Sequence, residues 1–101
     1  MLIATLWRPR IDLTQEQQQQ VIPRRAQWQP KAKIVAEYWF IGAEPGEWQG
    51  ITVAEVNDPS ELMQDLLTWA DVLEMGSHVA VGVAEGLPAA QQAAATAATI
   101  A

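Results

Sequence analysis

The chain contains no cysteine, which excludes disulfides, thiolate nucleophiles and the cysteine-rich ligand sets of structural zinc sites. Histidine is nearly absent too. His78 is the single imidazole, so no metal site is expected and only one side chain titrates near neutrality unperturbed. Fixed positive charge is missing from two thirds of the molecule: Arg8, Arg10, Arg24, Arg25, Lys31 and Lys33 are all the cations there are. Residues 1–33 sum to +4 and residues 34–101 to −10, giving the net −6. Nucleic acid is therefore an unsuitable partner, because phosphate binding rests on cationic neutralisation and no cation interleaves with Trp39, Trp48 or Trp69 to make a base-stacking platform. No apolar run is long enough to span a membrane, and the opening MLIATLW lacks the basic residues of a signal peptide. A reducing, cytoplasmic setting is expected. Gly82 and Gly86 lack the strand, Gly-rich turn and helix order of a phosphate loop. Ser77 and His78 are neighbours on a strand and point to opposite faces, so they are no nucleophile and base pair.

What is present suits one compact domain. Half of the 101 residues are hydrophobic and five are Trp, each able to remove about 150–250 Å² from water. A chain of this size buries roughly 65% of its unfolded surface. Leu2 to Trp7 reads as a strand stopped by Pro9. A helix follows, capped by Asp12 or Thr14, each with a Gln three residues on, and Pro23 is expected to end or kink it near Val21-Ile22. Residues 32–41 and 51–56 form a β-hairpin around Pro45-Gly46, with Trp48 placed to expose its indole. Asn57-Asp58-Pro59-Ser60-Glu61 is a helix start. The apolar stripe Leu62, Leu66, Trp69, Ala70 and Leu73 continues it, with Gly76 as C-terminal cap. A last strand runs from His78 to about Val83. Residues 1–86 are thus one domain, and 87–101 an uncharged, Ala-rich tail, either a helix laid on a partner subunit or a frayed end.

The order β-α-β-β-α-β specifies an α+β, ferredoxin-like fold, a four-stranded antiparallel sheet with two helices on one face. The charge asymmetry then has a local explanation: Arg24 and Arg25 of the first helix approach Glu61, Asp65 or Asp71 of the second. Period-two alternation assigns Leu2, Ala4, Leu6, Ile34, Ala36, Tyr38, Phe40, Thr52, Ala54, Val56, Val79, Val81 and Val83 to the helix layer. The other face takes Ile3, Thr5, Trp7, Val35, Glu37, Trp39, Ile41, Ile51, Val53, Glu55, His78, Ala80 and Gly82. It is too apolar to be left to water, so a twofold homodimer joined through its sheet faces is expected.

Trp39 in the second strand, the Asp58-Pro59 helix start, the segment Trp69-Ala70-Asp71 and the Ala-rich ending resemble a small bacterial family of uncharacterised dimeric α+β barrel proteins. The likeness covers roughly residues 34–98. It implies a homodimer and carries no established activity. More distantly the layout is similar to muconolactone isomerase and to cofactor-free monooxygenases and cyclases.

Two functions follow. One is a binding or structural domain that takes a small apolar ligand or a protein partner without a cofactor. The other is a cofactor-free isomerase, cyclase or monooxygenase acting on a small aromatic or enone compound. In that case His78 is the base, Glu37 and Glu55 its carboxylates, and Thr5, Trp7 and Trp39 the ligand-binding walls. A cavity of roughly 300 Å³ or more reached by His78 or a carboxylate would favour the enzyme.

Overall fold

The computed structural model describes residues 1–100. Strand β1 (Leu2–Pro9) leads to helix α1 (Gln15–Gln27), strands β2 (Lys33–Trp39) and β3 (Gly50–Glu55), helix α2 (Pro59–Trp69), strand β4 (Leu73–Ala80) and helix α3 (Val83–Ile100). The four strands form one antiparallel sheet in the order β2-β3-β1-β4, which is the α+β, ferredoxin-like arrangement. β1 is central, flanked by β3 and β4.

Local chemistry sets the helix starts. Thr14 caps α1: its Oγ1 accepts from the Gln17 N–H at 3.1 Å, and the Gln17 side chain accepts from the Thr14 N–H at 2.9 Å. Asp58 and Glu61 repeat this reciprocal box at α2, with Pro59 in the first turn, so each box satisfies donors that a helix start otherwise leaves unpaired. Pro23 lies inside α1 without ending it. The helix runs on to the Trp28 N–H, which donates to the Arg24 carbonyl at 2.9 Å.

α2 ends at Trp69, four residues before the expected stripe does. The Val72 N–H closes a turn on the Trp69 carbonyl at 3.0 Å, Val72 is fully enclosed, and Leu73 starts β4 opposite Pro9. Gly76 is therefore a strand residue, and the last strand lies some five residues earlier than its valines suggest. An apolar residue one turn beyond a helix end extends a helical period by chance, and pairing with β1 decides the matter. The tail is helical through Ile100, joined to residues from Val83 onward, and has no buried residue. None of the helices is long and apolar enough to cross a membrane among the described residues.

Two rows of the sheet define its helix-covered side: Glu37–Thr52–Thr5–Ser77 and Trp39–Gly50–Trp7–Met75. A third, Ile34–Ala54–Ile3–Val79, runs into the core, where Ile3, Ala32 and Val56 are buried and Ala54 and Leu62 pack on them. The opposite, open side carries Ala36–Val53–Ala4–His78 and Tyr38–Ile51–Leu6–Gly76. The expected faces are thus right for β3, for Ile34 and for His78, Val79 and Ala80 of β4, but reversed for β1 and for Ala36 to Trp39 of β2. In β1 both alternating sets are apolar, so pattern alone could not choose. In β2 a bulge between Ile34 and Ala36 breaks the period, turning Glu37 and Trp39 to the side Ile34 already faces.

Candidate functional site

Between the sheet and helices α1 and α2 lies a partly open cavity of about 320 Å³. The sheet supplies Thr5, Trp7, Glu37, Trp39, Thr52 and Met75; α1 and the turn after it add Val21, Ile22, Arg25 and Trp28; α2 adds Leu62, Asp65, Leu66 and Trp69. Four of the five tryptophans line it. They stand as two edge-to-face pairs, Trp7 with Trp39 at 6.0 Å and Trp28 with Trp69 at 5.6 Å between centroids, the geometry that the ring quadrupole favours. Gly50 makes the first pair possible. It sits between Trp7 and Trp39 in the sheet row, and a Cβ built there would fall inside the Trp7 ring.

Glu37 is the polar centre of the cavity. Its Oε2 accepts from Arg25 Nε at 3.1 Å and Trp39 Nε1 at 2.9 Å, and its Oε1 from the Thr52 hydroxyl at 2.8 Å. Thr52 accepts in turn from Trp7 Nε1 at 3.2 Å. Burial raises the Glu37 pKa, but the hydrogen bonds from Trp39, Thr52 and Arg25, with the Arg25 charge, outweigh it and hold the carboxyl below its ordinary range. Glu37 is therefore ionised at neutral pH, an acceptor and a weak base. The bulge in β2 is what aims it here, a recurrent use of such irregularities beside sites.

Asp65, buried on α2, accepts from the Lys31 and Ala32 backbone N–H groups at 2.8 and 3.0 Å, fastening the loop before β2 against the helix. Of the carboxylates expected to meet the arginines, Asp71 does: Arg24 forks onto it at 2.8 and 3.1 Å and reaches the Thr68 carbonyl at 3.2 Å, while Arg25 turns inward to Glu37.

Of the residues singled out in sequence, Thr5, Trp7, Trp39 and Glu37 come together around this cavity. His78 and Glu55 do not join them. The rows place both on the open side of the sheet, so His78 and Glu37 have the sheet between them and the expected constellation does not form. His78 is exposed, beside Gly76 and Trp48. Glu55 pairs with the terminal amine of Met1 at 2.6 Å. Trp48, expected to be exposed, is half-buried under Arg8, whose guanidinium lies 4.7 Å from its ring centroid. Sequence reading missed Arg25 and Trp28 as cavity residues, although a basic pair in the last turn of α1 marked where they would be. For the orientation of Glu37 no sequence signal existed, since a bulge has no fixed residue code.

The strand order, the helix layer and the cavity between them define an α+β domain of ferredoxin-like type with an aromatic-walled internal site. Residues 1–94 match the family model described as Domain of unknown function (DUF3303), and the chain belongs to that family. No curated protein and no solved structure matches it.

Proposed function

We propose that the chain is a small-molecule-binding domain whose ligand occupies the cavity between the sheet and helices α1 and α2, and that it works as a homodimer. The observation that carries the ligand reading is the cavity itself. Its volume of about 320 Å³ lies at the lower end of the roughly 300–1,000 Å³ typical of ligand sites, and an apolar wall with a few convergent polar groups is their usual lining. A molecule of one or two rings fits. The cavity is large enough for the enzymatic alternative and is reached by a carboxylate, Glu37, but that alternative has less support, because the His78 ring lies on the far side of the sheet and Glu37, ionised and already accepting three hydrogen bonds, is a weak base.

The test uses the indole N–H resonances of the five tryptophans. On addition of 2-naphthalenemethanol, an uncharged two-ring probe, those of Trp7, Trp28, Trp39 and Trp69 are expected to shift and that of Trp48, on the open side, to stay. No shift at millimolar probe, or movement of Trp48 with the rest, would overturn the reading.

The homodimer is supported by the open side of the sheet. Ala4, Leu6, Ile51, Val53 and the exposed Tyr38 form its centre, and among the described residues no helix lies over them. Stacking two such faces about a twofold axis would cover both; a stable pairing requires on the order of 800 Å² per partner. Multi-angle light scattering is expected to give twice the chain mass at micromolar concentration, and replacing Tyr38 and Leu6 by Glu to give the monomer. A native monomer at that concentration would refute the pairing.

A further inference from the structure

The polar groups of the cavity differ in how much hydrogen-bonding capacity they have left. Asp65 is occupied by two backbone donors. Glu37 already accepts three hydrogen bonds, and its charge is answered by Arg25. The Trp69 indole N–H has no acceptor among the described residues, but it is buried. Arg25 has the most donors left over, and it alone of the charged groups has any. Only its Nε is engaged, by Glu37, and neither Nη1 nor Nη2 makes a hydrogen bond among the described residues. The neighbouring Arg24 shows the contrast, with both Nη atoms used on Asp71 and the Thr68 carbonyl.

The unused edge of Arg25 is also held in place. Glu37 fixes the Nε edge, and the guanidinium carbon lies 5.3 Å from the Trp28 ring centroid, so little side-chain freedom remains to be lost on binding. A guanidinium fixed through Nε and stacked on an indole offers the paired Nη donors that match the two oxygens of a carboxylate. A cationic ligand has a poorer counterpart, because Glu37 already accepts three hydrogen bonds and is paired with Arg25, and both Asp65 oxygens are taken up by backbone donors.

Resting on the cavity reading above, we infer that the ligand is a small apolar acid, its one- or two-ring body among the tryptophans and its carboxylate on the Nη1 and Nη2 edge of Arg25. The acid would complete a carboxylate–guanidinium–carboxylate row with Glu37 at its inner end. Arg25 selects the ligand; the apolar wall supplies the larger part of the contact.

Isothermal titration with three probes of one shape tests this: 2-naphthoate, 2-naphthalenemethanol and 2-naphthylmethylammonium. Naphthoate is expected to bind at least about tenfold tighter than the alcohol, each tenfold being about 1.4 kcal/mol, and the ammonium probe to bind more weakly than either. Arg25→Gln should bring the acid within about threefold of the alcohol, both measured on that variant. Arg25→Lys, which keeps the charge but loses the fork, should retain only part of the preference. Should Arg25→Gln fail to fold, the Nη and Nε resonances of Arg25 in the unaltered protein give the answer, and they are expected to move with naphthoate and not with the alcohol. Equal binding of acid and alcohol, preference for the ammonium, or a preference that survives Arg25→Gln would overturn the inference while leaving the cavity as a binding site. Binding of none of the three would remove both.

Discussion

Trp69→Ala is expected to cost about 3 to 5 kcal/mol of folding stability, the usual range for truncating a large buried aromatic. Trp69 is 5% exposed. It meets Trp28 edge-to-face, and the guanidinium of Arg24 lies 5.5 Å from its ring centroid. Its removal would therefore empty the junction where α2 faces α1 and leave both partners without a wall. A domain of this size has a total stability of about 5 to 15 kcal/mol, so the substitution should remove a large fraction of it. Trp69→Phe separates ring burial from polarity. The indole N–H has no acceptor among the described residues, so phenylalanine forfeits no hydrogen bond, and its cost, that of the smaller ring and the cavity it leaves, should stay below that of the alanine variant, at about 1 to 2 kcal/mol. Urea titration of the two variants measures both numbers. A loss under 1 kcal/mol for Trp69→Ala would show that the ring does not anchor α2.

Asp65→Ala is expected to cost about 2 to 4 kcal/mol by a different route. The volume change is small; what is lost is the acceptor for the Lys31 and Ala32 N–H groups. Hydrogen bonds to a charged group contribute about 1.5 to 3 kcal/mol, and a buried donor left unpaired carries its full desolvation penalty. The Ala32 donor is the more costly of the two, since Ala32 is 5% exposed and belongs to the cluster with Ile3 and Val56. Asp65→Asn keeps one acceptor oxygen and should recover roughly half the loss. Amide hydrogen exchange at Ala32 gives a local reading: protection should collapse in Asp65→Ala and persist in part in Asp65→Asn. Unchanged protection in the alanine variant would mean that the loop before β2 is held by something else.

These two residues also mark what sequence could and could not reveal. Trp69 was legible as an anchor because Leu62, Leu66 and Trp69 repeat at helical spacing behind the Asp58-Pro59 start. The element order and both helix starts were legible for the same reason, being written in short-range signals such as a capping residue, a first-turn proline or a Pro-Gly turn. Asp65 was legible only as a charge on α2. Its use as a clasp for two backbone donors depends on where α1 delivers the chain, which no local pattern encodes. The same limit separates the site residues. Thr5 and Trp7 could be recognised as one face of a strand, but Leu2, Ala4 and Leu6 are as apolar as their alternates, so which face met the helices stayed open. Glu37 and Trp39 could be grouped by parity, but joining them to Ile34 required the bulge. His78 drew interest as the single imidazole, a reason of chemistry rather than position, and position put it across the sheet from the cavity.

The central place of β1 bears on the order in which the molecule can be made. The first strand of the domain pairs only with β3 and β4. Its ties to side chains are equally remote, from Arg8 to Glu74 across 66 positions and from Trp7 to Thr52 across 45. During synthesis it leaves the ribosome earliest and waits longest, with hydrogen-bonding edges open on both sides and nothing downstream to occupy them until β3 has emerged. Distant pairings of this kind are the slow step in small-domain folding, and an unpaired apolar strand is a template for the wrong neighbour. A nascent chain stalled before Leu73 could pair β1 with β3 but would leave the other edge of β1 open, so the sheet is complete only after the last strand is free.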